Sequence, residues 1–338
     1  MIPFEQASYL TQVRRLRALA VEAVKQYPLN VRNIDFIRYG ANAIFRVTDT
    51  QNKRYVLRIS PVGYHTKQAF LEEIKWLHHI LKTTDLLVPK PVLTTHDQYL
   101  IEYAHPAIST IRLCHMFEWI PGKIRWKSID KQYAYHLGSI IAQLQKSGQD
   151  IAIKHRHYWN TDGLVGTDRA KFYNVEKLTA VSKKEQDIIT KARRTVYQTL
   201  KHYEESYKDK TGLIHSDMQP NNFLTYKNKY AVIDFDDCGV GLYGDDLAVA
   251  LFAFEYLTEG EKSKNFLELK EALFTGYSTY MPLSQEDIDL SPYFLLARKL
   301  VTISWLELRR SNPKLRPYYR QAIARAITFF EGLEKNKR

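Results

Sequence analysis

LIHSDMQPNNFLTYKNKYAVIDFDDCGVGLYGDDLA, residues 213–248, holds two acidic groupings separated by a short apolar stretch. In the first, His215, Asp217 and Asn222 stand in the spacing H-x-D-x-x-x-x-N. The second gathers Asp234, Asp236 and Asp237 at the end of the run VID. Residues 223–226 and 230–233 are strand-like, and Lys227, Asn228 and Lys229 between them predict a hairpin with a three-residue loop. With Asn228 at its centre, Asn222 falls opposite Asp234, where cross-strand Cβ atoms lie about 4.5–5.5 Å apart.

An amide oxygen and a carboxylate at that separation can share one hard cation. Mg²⁺ takes one or two such protein oxygens and leaves its other positions to water and phosphates. Asp217 sits before that pair, in a loop opened by the strand 212–215. It is near the cation without being required by it, which suits a base that orients an attacking hydroxyl and accepts its proton. His215, flanked by apolar residues at a strand end, is expected to pack and hydrogen-bond the loop rather than touch substrate. A lone H-x-D recurs by chance, and an Asp at a strand end is commonly a turn former. The combination of spacing, hairpin and strand is what points to phosphoryl transfer from a metal-bound nucleotide.

The N-terminal half supplies an independent clue. In the predicted strand 55–59, Arg58 shares a face with Val56, opposite Tyr55, Leu57 and Ile59. A helix over 67–81 carries the apolar stripe Phe70, Ile74, Leu77 and Leu81. Glu73 borders that stripe, whereas Glu72 points away. An acid at the edge of a buried face needs a partner, and Arg58 is the natural one. A strand cation that holds nucleotide phosphates and pairs with a helix glutamate is the kinase arrangement.

The run IDFDDCGVGLYGDDLA and the H-x-D-x-x-x-x-N spacing resemble the phosphotransferase motif of the aminoglycoside phosphotransferase superfamily. That group also includes choline kinases, type II homoserine kinases and the bacterial stress-response kinase, and it shares the protein-kinase fold. The homoserine kinase type II and stress-response kinase branch is the more similar. The resemblance implies that Asp217 is the catalytic Asp, that Asn222 and Asp234 bind Mg²⁺, and that Asp246 is a buried brace of the catalytic loop. By sequence alone Asp246 reads equally as an N-terminal helix charge. Asp236 and Asp237 receive no role. Arg58 stands where protein kinases have Lys, and its fork binds phosphate differently. The segment 39–43, YGANA, is no G-x-G-x-x-G but resembles a shorter phosphate loop. Phe117, Glu118 and Trp119 resemble the inter-lobe hinge, where backbone groups would bind the adenine edge and apolar side chains its faces. The resemblance spans roughly residues 31–280.

Composition is ordinary for a soluble globular protein. The 338 residues are 45% hydrophobic and 25% charged, with a formal net charge of +12. The basic residues are dispersed, no nucleic-acid-reading motif is visible, and a diffuse positive field suits a nucleotide ligand. No apolar run is long enough to span a bilayer, and MIPFEQASYL shows no signal-peptide pattern. Cys114 and Cys238 fit a reducing cytoplasm.

The expected fold is therefore α+β and bilobal, protein-kinase-like, with a small antiparallel-sheet N-lobe and a larger, mainly helical C-lobe. Its expected divisions are an N-terminal helical extension (1–30), a nucleotide-binding N-lobe (31–119) and a catalytic, substrate-binding C-lobe (120–338). The expected cofactors are ATP, lying between the lobes, and Mg²⁺. The expected acceptor is a small-molecule hydroxyl, with no nucleic-acid or membrane partner and no reading of oligomeric state. A protein Ser/Thr kinase and a non-catalytic nucleotide-binding protein are the alternatives. The aromatic-rich segment 155–169, through Tyr158, Trp159 and Asp162, is the candidate contact with the acceptor.

Overall fold

The computed structural model describes residues 2–125, 129–166, 169–170, 178–227, 229–258, 260, 263–310 and 315–336. The chain divides into two compact units, one of Met1–Lys123, Lys154–Arg156 and Thr225–Ile233, the other of Ile124–Ile153, His157–Leu224 and Asp234–Arg338. The sequence positions Ser128, expected before a helix, and Asn228, expected at a hairpin centre, lie outside the described residues.

In the first unit the chain runs through α1 (Tyr9–Ala23), β1 (Val31–Tyr39), β2 (Ala43–Asp49), β3 (Arg54–Ile59), α2 (Lys67–Thr83), β4 (Pro91–Val92), β5 (Leu100–His105) and β6 (Ile108–Glu118). The strands form one antiparallel sheet in the order β1-β2-β3-β6-β4, with β5 also on β6. Alternation decides what each face meets. Phe45, Val47, Tyr55, Leu57, Ile59, Cys114 and Met116 share a core with Leu16, Leu19, Ala20 and Ala23 of α1. Burying each larger side chain contributes about 1.5–3 kcal/mol. The N-terminal helix thus belongs to the core of the sheet unit. Arg58 is also buried, opposite His115 in the β3–β6 register. On α2, Phe70, Ile74 and Leu77 are buried as the period requires, but the inward residue of the last turn is Ile80 and not Leu81, which is exposed.

The second unit contains α3 (Lys131–Gly148), after the short β7 (Lys123–Ile124), then β8 (Tyr158–Trp159), α4 (Thr161–Val165), α5 (Lys183–Ser206) and β9 (Thr211–Ile214). Next along the chain come the hairpin strands β10 (Phe223–Tyr226) and β11 (Lys229–Val232), and then, again in the second unit, β12 (Gly239–Leu242), α6 (Tyr243–Leu257), α7 (Lys264–Ser278), α8 (Gln285–Glu307) and α9 (Arg316–Asn336). Asp130 caps α3 by accepting a hydrogen bond from the Tyr133 amide at 2.7 Å. Helices α3 and α7 cross closely because glycine stands on both. A Cβ on Gly138 would lie 1.9 Å from the Leu273 carbonyl oxygen, and one on Gly276 would lie 1.9 Å from that of Tyr135. Among the described residues no helix is long and apolar enough to cross a membrane.

The hairpin divides between the units. Thr225–Ile233 belongs to the sheet unit. There Thr225 Oγ1 donates to the Lys123 carbonyl at 3.3 Å and the Val232 amide donates to that of Leu87 at 2.9 Å. The strand β11 begins at Lys229, so the connection is a residue shorter than expected, and Lys227 adopts φ +44°. Asn222 and Asp234 consequently stand close to where the chain leaves the helical unit and where it re-enters it.

Candidate active site

In the helical unit β12 pairs antiparallel with β9, Gly239 facing Ile214, and parallel with β8. That register brings the loop after Ile214 alongside the turn before Gly239, so the two acidic groupings of the sequence become neighbours. Ser216 and Asp234, one in each turn, adopt φ +61° and +68°. Such values are uncommon for residues other than glycine and persist where surroundings enforce them. For Ser216 the enforcing group is Asp246, at the start of α6. Its carboxylate has no exposed surface and accepts the amides of Ser216 at 2.7 Å and His215 at 3.1 Å, and the Gln145 Nε2 at 3.1 Å. Gln145 is held in turn by the Tyr277 hydroxyl, which donates to its Oε1 at 2.6 Å. Between the two readings of Asp246, the geometry selects the loop brace.

His215 is fully buried, packs on Phe235 with ring centroids 4.6 Å apart, and accepts the Asp217 amide at its Nδ1 at 3.3 Å. It shapes the loop, as expected from its apolar flanks. Asn222 Nδ2 donates to Asp217 Oδ2 at 2.7 Å and to the Asp217 carbonyl at 2.9 Å. This leaves Asn222 Oδ1 accepting no bond among the described residues. Gln219 Nε2 spans both carboxylate oxygens of Asp217, at 3.1 and 3.0 Å. Arg298, on α8, brings Nη2 to within 3.4 Å of Asp217 Oδ1. About a fifth of the Asp217 side chain remains open to solvent. Burial nonetheless pushes its carboxyl up to about 7, the Arg298 guanidinium opposes the rise, and the carboxylates of Asp237 and Asp234 add to it. Asp245 has no exposed surface, and among the described residues its carboxylate makes a single 3.5 Å contact, with Ser216 Oγ. Burial lifts it to about 7, with Arg298 opposing and Asp246 adding.

The donor set fits a hard divalent cation. Asn222 offers an unused amide oxygen and Asp234 a carboxylate, the oxygen chemistry Mg²⁺ or Ca²⁺ prefers. Among the described residues no three His, Cys, Asp or Glu side chains converge as a complete cage. A cation here would need oxygens from a ligand, as Mg²⁺ does on nucleotide phosphates.

In the sheet unit Arg58 and Glu73 form the expected pair. Arg58 Nη2 lies 2.6 and 2.5 Å from the two carboxylate oxygens, and both residues are buried. Arg58 Nε also donates to His115 Nε2. Burial and the adjacent Arg58 hold His115 well below its usual range, so it remains neutral and accepts. A second guanidinium, Arg156, approaches Glu73 at 3.9 Å and donates to the Ala69 carbonyl at 3.4 Å. Glu72 is held as well, accepting the amides of Lys154, His155 and Arg156 at 2.7–3.1 Å.

Phe117 is buried beneath Arg58, its ring centroid 5.3 Å from the guanidinium carbon. Glu118 pairs with Lys53 at 3.0 Å and Lys90 at 3.7 Å, and the Trp119 ring lies under Arg46. The amides of Glu118 and Trp119 already donate to the carbonyls of Lys90 and Arg54, at 2.8 and 3.0 Å. An adenine edge would therefore have to use other backbone groups of this segment.

Of the aromatic-rich segment's candidates Tyr158 is exposed, while Trp159 is a correction. Trp159 is 1% exposed and its indole donates to the Asp237 carbonyl at 2.7 Å, so its ring supports the acidic turn and cannot face an acceptor. Asp162 is engaged by the Tyr197 hydroxyl at 2.7 Å and Lys201 at 3.1 Å. Gln219, Arg298, His115 and Arg156 are the site neighbours that sequence reasoning missed. Gln219 was detectable, two residues from Asp217. The others depend on tertiary placement.

Residues 36–283 match the model of the phosphotransferase enzyme family. Amicoumacin kinase of Bacillus subtilis (strain 168) is 21% identical over 289 residues, covering 83% of this chain and 81% of its own. A microcompartment-associated aminopropanol kinase structure superposes with a TM-score of 0.77 at 24% identity, covering 94% of each chain. An amicoumacin kinase structure in complex with AMP-PNP, Ca²⁺ and Ami gives 0.76 at 18% identity, covering 95% of this chain and 96% of that one. These likenesses share the mixed fold with its antiparallel sheet.

Proposed function

We propose, on the premise that the chain belongs to the phosphotransferase enzyme family, that it transfers the γ-phosphate of ATP to a hydroxyl of a small molecule. The observation that carries this reading is the Asp217–Asn222 pair. One amide binds and orients the carboxylate through its nitrogen, and its oxygen stays available for a cation. Asp217 would accept the hydroxyl proton as the oxygen attacks phosphorus, with Asp246 and His215 holding its loop. Asn222 Oδ1 and Asp234 would hold the metal. When bound, that metal neutralises phosphate charge and aligns the transferring group. Arg58, oriented by Glu73, would hold the α- and β-phosphates. Rate acceleration would come from positioning and charge neutralisation.

A relative solved with AMP-PNP and Ca²⁺ supports the use of nucleotide and divalent cation, and relatives named for amicoumacin and aminopropanol support a small acceptor. The short connection from Asp234 to α6, a turn and the four-residue β12, leaves little platform for a peptide. The two cysteines are buried and form no disulfide with each other, which suits a cytoplasmic setting.

The reading is tested by ADP release and by the nucleotide-dependent melting shift. Mg-ATP is expected to raise the melting temperature of the wild type and to have little effect on Asp234→Ala. Asp217→Asn is expected to keep that shift while ADP release with acceptor falls about 10²–10⁴-fold. ADP release unaltered by Asp217→Asn defeats the base assignment.

A further inference from the structure

Arg298 offsets the buried charges of Asp217, Asp245 and Asp246, but the reaction just described gives it no contact with a reacting group. Asp217 presents two different edges. Its Oδ2 faces Asn222 at 2.7 Å, the side on which the metal and phosphates would lie, whereas Oδ1, which shares the Gln219 amide at 3.1 Å, has Arg298 at 3.4 Å. An arginine paired closely with one carboxylate frequently makes two short parallel bonds to it, about 2.7–2.9 Å each. Arg298 makes one long contact through Nη2, and its Nε and Nη1 donate to nothing among the described residues. These two nitrogens are not sealed away, since they are absent from the buried polar atoms lacking a partner, and the side chain is 16% exposed. Its position is fixed by the helix that carries it, because the adjoining Ala297, Lys299 and Leu300 are all buried. A guanidinium held rigid, largely desolvated and still carrying unused donors is built to receive an anion.

We infer that Arg298 receives a carboxylate of the acceptor, so that the hydroxyl delivered to Asp217 lies two or three bonds from that carboxylate. The inference rests on the kinase reading above. An acceptor spanning Asp217 Oδ1 and Arg298 must be compact, because the two groups are nearly in contact. A hydroxy acid or hydroxy amino acid satisfies both at once. An amino alcohol lacking the carboxylate would bring its ammonium against Arg298.

Matched pairs differing only in the carboxylate test this with the intact protein and Mg-ATP: L-serine and ethanolamine, L-threonine and 1-amino-2-propanol, L-homoserine and 3-amino-1-propanol, glycerate and ethylene glycol. Phosphoester formation is followed by ³¹P NMR. The wild type is expected to favour the carboxylate-bearing member of at least one pair by about tenfold or more in kcat/KM. Arg298→Gln is expected to lower kcat/KM for that member by about 10²-fold, chiefly through KM, and to bring the pair ratio towards one. Arg298→Lys is expected to restore part of the ratio. Preference for the carboxylate-free member overturns the inference, as does a pair ratio unaltered by Arg298→Gln. Nucleotide turnover that delivers phosphate to no carboxylate-bearing member overturns it as well, with the kinase reading intact. Absence of both ADP formation and a Mg-ATP melting shift defeats the kinase reading itself. The wild-type pair ratio needs no variant and stands if Arg298→Gln does not fold.

Discussion

Asp245 shows how the site loads individual residues. Its carboxyl has no exposed surface, and among the described residues Ser216 Oγ at 3.5 Å is its one hydrogen-bond contact. Burial raises its pKa to about 7, against about 3.9 in an unfolded chain. The folded state therefore keeps a proton that the unfolded chain has lost. The group is harmless below about pH 4; its cost to stability grows from about pH 4 to about pH 7 and is complete above that. Asp245→Asn is expected to match the wild type in unfolding free energy near pH 4 and to exceed it at pH 8, by on the order of 4 kcal/mol, as read from denaturant melts at the two pH values. A difference that stays constant across that range contradicts the burial account. The sequence shows Asp217, Asn222, Asp234, Arg58 and Glu73 because spacing and face alternation are local properties. It does not show Arg298, which stands 81 residues from Asp217 in a helix whose neighbouring positions are mostly apolar. Nothing local separates such an arginine from a solvated one.

Helix α8 must remain continuous past Pro292 to hold Arg298 in place. Proline removes the amide that would bond the Ile288 carbonyl. Ser291 supplies the missing donor, its hydroxyl reaching that carbonyl at 2.7 Å. Ser291→Ala is expected to destabilise the protein by about 1 kcal/mol and to weaken acceptor turnover more than nucleotide binding. An unchanged melting temperature would remove the compensation from the account. Helix α2 was legible from its 3.6-residue period, and β3 and β9 as short strand-like runs. What the period could not show was the end of α2. Ile80 and Leu81 are adjacent apolar residues, and packing alone decides that the first is buried.

At the scale of the molecule, each unit is assembled from distant segments. Glu72 and Glu73 are satisfied by residues 154–156, and the sheet unit also takes in residues 225–233. No reading of sequence order alone places those segments with the first 123 residues, because the contacts are tertiary. A fragment ending at Lys123 would leave the Arg58–Glu73 pair without Arg156 and Glu72 without its donors. It is expected to lack the cooperative melting and dispersed amide spectrum of the intact chain, and a fully folded fragment contradicts this. The central claim is transfer of phosphate by Asp217 to a small hydroxyl. Its most direct test follows the γ-phosphorus of ATP by ³¹P NMR, with Mg²⁺, a library of small hydroxyl compounds, and wild-type or Asp217→Asn protein. The account expects a new small-molecule phosphomonoester signal in the wild type, formed at least about a hundredfold more slowly by the variant. Phosphate appearing on protein side chains instead, or the same phosphoester forming equally fast without the Asp217 carboxylate, would contradict it.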